Sequence, residues 1–333
     1  MFQEALPRIG RRRALQGSAA VLVVLGLLLW WLLPLGESSP GGKVVFSTGT
    51  ANGVYQLYGD LLRDALDKDM PRLDVDLEES EGSLENVERV ATGQADFTIA
   101  AADAVERYED NGGRGADLLR GCARLYDDYV HVVVPLHSDV NSIAELKGRK
   151  VAVGQPGSGV RLIAEQVLAA AGVDPKKGIE PFSAGIRDAP DMLEEGKIDA
   201  FFWSGGLPTS AVTTLSQHFD VKLVPIDADL VAELHKPGKG SRHYRSALMP
   251  ADAYHKAQNG IAVPTIAVAN LLVTRADMDA TLTEGMTRTV INSRDGIGEV
   301  VHAAQRVDLR TAIYTEPLDL HTGAQRYYRS VKP

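Results

Sequence analysis

The chain has 333 residues, 44% apolar, 24% charged and 6% aromatic, which excludes a disordered or fibrous protein and allows a core divided between two units of ordinary size. Cys122 is its single cysteine, so an internal disulfide framework and a thiolate zinc site are excluded. Outside the first 36 residues, 31 basic side chains face 43 acidic ones, a net −12; with no basic stripe to displace counterions from phosphates, no nucleic-acid partner is expected.

Arg8, Arg11, Arg12 and Arg13 precede an unbroken apolar run from Ala19 to Leu33. A basic flank before an apolar segment is the layout of an export signal, with the arginines left in the cytoplasm. The exit, Pro34-Leu35-Gly36-Glu37-Ser38, offers neither a small-x-small cleavage site nor a cysteine for a lipid. Trp30 and Trp31 suit an interfacial belt. Residues 1–36 are expected to be a transmembrane anchor, with a removed signal as the alternative, and residues 37–42 a short tether. The working part of the chain is then extracytoplasmic, attached to the membrane by this helix or released after cleavage.

Lys43-Val44-Val45-Phe46-Ser47 reads as a buried strand that ends in the turn Thr48-Gly49-Thr50-Ala51-Asn52-Gly53. A helix follows with Val54, Tyr58, Leu61, Leu62, Ala65 and Leu66 on one face, then the alternating strand Leu73–Leu77. Ser83 opens a second helix, and Gly93-Gln94-Ala95-Asp96 leads into the strand Phe97–Ala100. The same order returns about a hundred residues later. Lys150–Val153 is a strand, Gly154-Gln155-Pro156-Gly157-Ser158-Gly159 a glycine turn, and a helix carries Ile163, Ala164, Val167 and Leu168. Gly196-Lys197-Ile198-Asp199 then feeds the strand Ala200–Trp203. Strand, glycine turn, helix, strand is a parallel α/β unit, and its repetition implies two similar lobes. Tyr129–Pro135 and Thr265–Val273 are long apolar strands, suited to a chain that leaves the first lobe, builds the second and returns. Ser142-Ile143-Ala144-Glu145 is a capping box for a helix start, and Lys236–Asn259 reads as loop.

A glycine turn that opens a helix at the carboxyl end of a parallel strand points backbone N–H groups into the crevice there. The helix N-terminus adds about half a positive charge, so the turn can hold a carboxylate or phosphate without a basic side chain. Thr48, Thr50, Asn52 and Tyr55 add donors around the first turn and Ser158 around the second, while Ser80, Ser83 and Asn86 sit at the next strand-to-helix turn. Each of these also has a plain structural reading as a turn or cap residue. Enzyme signatures are missing. Val160 and Arg161 stand where a P-loop needs its Lys and hydroxyl, Leu162 stands at the third glycine of a dinucleotide fingerprint, and no nucleophile elbow or HExxH occurs. No cofactor and no metal are expected. His131 reads as a core histidine, Cys122 as apolar filler, and Asp127-Asp128 as a solvated turn rather than a working carboxylate pair.

The segments Ser47–Tyr55, Glu81–Asn86, Gly93–Asp96, Leu146–Val151, Gly154–Gly159, Gly196–Ala200, Gly205-Gly206-Leu207-Pro208-Thr209 and His321–Tyr328 resemble, in order, the TAXI family of solute receptors for tripartite (TRAP) transporters, a group also described as NMT1-like. The resemblance implies an α/β, type II periplasmic-binding-protein-like fold, two lobes joined by crossing hinge strands, with lobe 1 at 43–133 and 272–333 and lobe 2 at 134–271. It implies capture of a small solute (a dicarboxylate, or an amino acid such as glutamate), delivery to TRAP permease subunits in the membrane, and no chemistry on the solute. Carried over by position, the pocket is Thr48, Gly49, Asn52, Tyr55, Ser83, Asn86, Gly157, Ser158 and Gly159, with Gly205, Gly206 and Pro208 at its edge. Val54, Gln56 and Val160 depart from the family pattern, and Arg161 is a candidate partner for an anionic group. A ligand sensor reporting to a membrane signalling partner is the alternative, and an enzyme on the same fold a more distant one.

Overall fold

A computed structural model of the chain describes Val24 and residues 40–51, 53–236 and 242–331. The anchor expected over 1–36, all but the last three residues of the tether, and Asn52 lie outside the described residues. Among the described residues no helix is long and apolar enough to cross a membrane.

β1 (Gly42–Ser47) pairs in parallel with β2 (Leu73–Glu78) on one side and β3 (Phe97–Ala101) on the other. Between β1 and β2 runs α1 (Val54–Asp69), which buries Tyr58, Leu62 and Leu66, the i, i+4, i+8 stripe of an amphipathic helix. α2 (Ser83–Ala91) links β2 to β3, and α3 (Ala102–Asp110) follows β3. In the second lobe β5 (Lys150–Ala152) lies parallel to β6 (Glu180–Phe182) and β7 (Ala200–Gly205), with α4 (Gly159–Ala170) and α5 (Ala189–Glu194) as connections. α6 (Ser210–His218), β8 (Val221–Leu223) and α7 (Ala228–Leu234) complete that stretch.

The repeated Gly-x-x-Asp entry has a physical cause that is the same in both lobes. Gly93 (φ 77°) and Gly196 (φ 69°) take left-handed conformations that end the preceding helix. Three residues on, Asp96 accepts a hydrogen bond from the Val45 amide and Asp199 accepts one from the Lys150 amide, each at 2.8 Å. Each aspartate thus locks the last strand of its unit to the first.

Two long strands join the lobes. β4 (Leu119–Pro135) pairs with β10 (Val263–Arg275) through its first half and with β7 from Tyr129 onward. β10 pairs with β3 through Asn270–Val273 and, through Val263–Ala267, with β9 (Arg245–Met249). The sheet order is β2-β1-β3-β10-β4-β7-β5-β6, with β8 on β4 and β9 on β10. The result is a two-lobe, mixed α/β periplasmic-binding-protein-like fold with a curled sheet, as the sequence pattern leads one to expect. β4 starts ten residues before Tyr129 because the partly exposed Arg120, Arg124 and Asp127 interrupt the apolar run that signals a strand.

Three other expectations are corrected. The stretch 236–259 is not plain loop: it carries β9 and α8 (His255–Gln258), elements whose edge position leaves them little apolar periodicity. The capping box at Ser142 is formed, but it opens a single 3-10 turn, Ile143–Leu146, because Gly148 (φ 77°) ends it. α9 (Ala280–Gly298) and α10 (Thr322–Val331), which the sequence pattern does not single out, pack on the first lobe; Met286, Val290, Ala324 and Tyr328 join the core of Phe46, Leu62 and Cys122.

Candidate functional site

Both glycine turns line one cavity, about 680 Å³ when the space open to solvent is counted. Lobe 1 contributes Gly49, Thr50, Val54, Tyr55, Gly82 and Ser83; lobe 2 contributes Gly154, Ser158, Gly159, Val160, Ile163 and Trp203. The first residues of α1, α2 and α4 (Val54, Ser83 and Gly159) are all in this lining. First-turn N–H groups have no carbonyl four residues back, so each helix start offers donors and a partial positive charge to the space. The start of α2 touches the second turn at the rim. The Glu85 amide donates to the Gly157 carbonyl at 3.2 Å, and a Cβ on Gly159 would lie 3.2 Å from Ser83 Oγ. The lobes are closed on each other.

The lobe 1 wall carries a directed chain of hydrogen bonds. Tyr55 Oη donates to Asn270 Oδ1 at 2.5 Å and therefore accepts from Ser83 Oγ at 2.9 Å, while Ser83 Oγ accepts from the Ala101 amide at 3.2 Å. Beside them Asp128 lines the cavity at 5% exposure, its Oδ1 without a hydrogen-bond partner. Burial pushes its carboxyl up to about 7; the Asn270 amide opposes the shift, and the charges of Asp127 and Asp103 add to it. Val268 is the register partner of Asp128, and Asn270 lies two residues further along β10, which puts both side chains on one face of the sheet. Asp127 differs completely. It pairs with Arg124 at 2.7 Å and with Arg245, which hold it below the usual carboxylate range despite burial. Among the described residues the only charged side chains in the cavity lining are Glu81 and Asp128, and both are acidic.

The profile of the NMT1-like family matches residues 46–331. The chain belongs to the NMT1-like family. Among solved structures this NMT1-like chain is similar to one described as an L-cystine ABC transporter of Listeria monocytogenes (13% identity, TM-score 0.52, covering 80% of this chain and 98% of that one). It is similar also to an ancestral arginine-binding protein bound to arginine (16% identity, TM-score 0.50, 78% of this chain and 98% of that one). At such identities the likeness is one of fold.

The residues singled out in this NMT1-like sequence divide into two groups. Gly49, Thr50, Tyr55, Ser83, Ser158 and Gly159 line the cavity. Thr48, Ser80 and Asn86 do not; they are buried behind the first turn and hold it. Asn86 donates to the Thr48 and Ile99 carbonyls at 2.6 and 2.9 Å and accepts from Ser47 and Ser80, both at 2.7 Å. Thr48 Oγ1 bonds Gln56 and the Glu78 carbonyl. Gly157 sits at the rim with φ 85°, a value that favours glycine. Arg161 is turned away from the cavity: it bonds Glu165, the Gly154 carbonyl and Ser183, and so is no free partner for an anion. Gly205 makes room for Trp203, whose indole Nε1 a Cβ there would approach to 2.5 Å, and Gly206 and Pro208 line an adjoining groove. Asn52 lies outside the described residues.

His131 is buried and bonded to Tyr254 Oη at 2.8 Å, with its pKa pushed down to about 4 by burial. Tyr254 in turn accepts from the Thr209 amide, and Thr209 Oγ1 accepts from Trp203 Nε1, so the histidine supports the cavity wall from behind. Among the described residues no group of three or more His, Cys, Asp or Glu side chains could hold a metal ion. Asp127-Asp128, expected to be a solvated turn, instead lies within β4 with Asp128 buried, and Asn270 is a residue that sequence reasoning missed. The available signal was an Asp-Asp pair at the head of an apolar strand, where alternation must turn one carboxylate inward.

Proposed function

We propose that this protein is the solute-binding receptor of an importer, of the TAXI type that serves TRAP permeases, and that it performs no chemistry on what it binds. It works outside the cytoplasm, tethered by the segment 1–36 or released after that segment is removed. Lobe 1 is 43–133 with 272–333 and lobe 2 is 134–271, with the hinge where β4 and β10 change partners. The guest is small and bears at least one carboxylate, within the dicarboxylate and amino-acid range of the resembled family. The observation that carries this reading is that two glycine turns from separate lobes, together with three helix starts, line a single cavity. An enzyme reading has no nucleophile, metal cluster or cofactor fingerprint to rest on among the described residues.

The test is native mass spectrometry of protein purified from its own cells without added ligand. The expected result is a one-to-one complex with a small acid, and solution scattering that shows a more compact particle with that compound than without it. Failure to recover any guest, together with unchanged scattering across a panel of carboxylic and amino acids, would overturn the proposal.

A further inference from the structure

An electrostatic asymmetry inside the cavity narrows the guest beyond the receptor reading, on which it rests. Helix starts at Val54, Ser83 and Gly159 favour one negative group, but among the described residues the lining holds no Lys, Arg or His to meet a second. Opposite in character, Asp128 places a buried carboxyl in the lining that no cation meets among the described residues and whose Oδ1 makes no hydrogen bond, the Asn270 amide being the side-chain donor beside it. A buried carboxylate without a cation is destabilising, and its ordinary remedies are a proton or a positively charged partner. Asp127, one residue away, has two arginines; Asp128 has none among the described residues, and Arg161 is committed to Glu165 and Ser183. The rest of the lining is largely apolar: Val54, Val160, Ile163, Ile186 and Trp203.

We infer that Asp128 is an ammonium subsite, and that the guest is a small zwitterion with one amine, one carboxylate and an apolar remainder, as in a neutral α-amino acid. The ammonium pairs with the Asp128 carboxylate, the guest's carboxylate lies against the first-turn amides, and the side chain rests on the Ile163–Trp203 wall. A dicarboxylate would set a second negative charge beside Asp128 with nothing to neutralise either. The competing use of Asp128, a protonated carboxyl that donates to an acid, gives the opposite preference.

Calorimetry on the full chain at pH 8 decides between them, with each amino acid paired to its deaminated counterpart: L-leucine with 4-methylpentanoate, L-alanine with propionate, L-glutamate with glutarate. The expected result is at least one neutral amino acid bound a hundredfold or more tighter than its deaminated partner, and tighter than glutamate. In Asp128→Asn that preference collapses to less than threefold, chiefly through loss of the amino acid. Equal or tighter binding of a deaminated acid by the unaltered protein, a measurement that needs no variant to fold, overturns the subsite. So does an Asp128→Asn protein that folds and keeps its amino-acid affinity. A guest without an amine, recovered by the native mass spectrometry above, overturns the subsite and leaves the receptor reading standing; recovery of no guest and binding of no probe overturns both.

Discussion

On the lobe 1 side of the cavity polar atoms are left unmatched: Asp128 Oδ1 and Asn270 Nδ2 have no hydrogen-bond partner, next to the Ser83–Tyr55–Asn270 chain. On the lobe 2 side Ser158 and Arg161 are already matched. Ser158 Oγ donates to the Gln155 carbonyl at 2.7 Å and accepts from the Arg161 amide at 3.2 Å, and Arg161 is bonded three times over. Both walls follow one backbone plan, down to the aspartate that locks each unit, yet only one is chemically incomplete. Under the proposed receptor function a guest would complete the lobe 1 wall, with lobe 1 supplying recognition and lobe 2 a preformed cover.

The largest effect that can test this contrast is the pH dependence of stability in the unliganded protein. In the folded chain Asp128 titrates at about 7 rather than 3.8, so between those values the folded state holds a proton that the unfolded state has released. Stability therefore falls as pH rises from about 4 to about 7. A tenfold change in proton affinity is worth about 1.4 kcal/mol, which makes the whole fall on the order of 4 kcal/mol. Asp103, raised to about 6 by burial against the Tyr244 hydrogen bond, adds a slope of the same sign, whereas Asp127, held low by its arginines, contributes in the opposite sense at acid pH. Urea denaturation at pH 5 and pH 8 should show a smaller loss in Asp128→Asn than in the parent protein, with the variant the more stable at pH 8. Parallel slopes would break the electrostatic distinction between the walls.

Asn86 sharpens the comparison from behind. Its amide satisfies two carbonyls and receives two serine hydroxyls with no exposure to solvent, so Asn86→Ala leaves buried polar groups unmatched and should cost about 3 kcal/mol in denaturant unfolding. A stable variant that had lost only its ligand affinity would instead make Asn86 part of the recognising surface.

Much of this arrangement was legible in the sequence. The paired glycine turns, the Gly-x-x-Asp entries and the two long strands are local patterns, each with a backbone cause, and the fold follows from their repetition. What the pattern could not separate is which hydroxyls and amides face the cavity. Thr48, Ser80 and Asn86 look like donors in sequence, but the turns after β1 and β2 face them inward, where backbone carbonyls consume them. Asp128 and Asn270 were hidden for the converse reason. The Asp-Asp pair signals locally that one carboxylate turns inward, but its meeting with Asn270 depends on the pairing of two strands about 140 positions apart along the chain, which no local pattern reports.

The smallest expected effect is the most specific to the lobe 2 wall. Ser158 lines the cavity, so its hydroxyl looks available, but its proton is given to the Gln155 carbonyl and one of its two acceptor sites takes the Arg161 amide, which leaves no donor for a carboxylate. Ser158→Ala removes an N-cap and should cost about 1 kcal/mol of stability. The guest loses no contact that the hydroxyl was free to make, so affinity measured by calorimetry should change by less than about twofold, against RT of roughly 0.6 kcal/mol. An unaltered melting curve joined to a tenfold loss of affinity would place the hydroxyl on the guest. The two walls would then share recognition between them, and lobe 2 would be more than a cover.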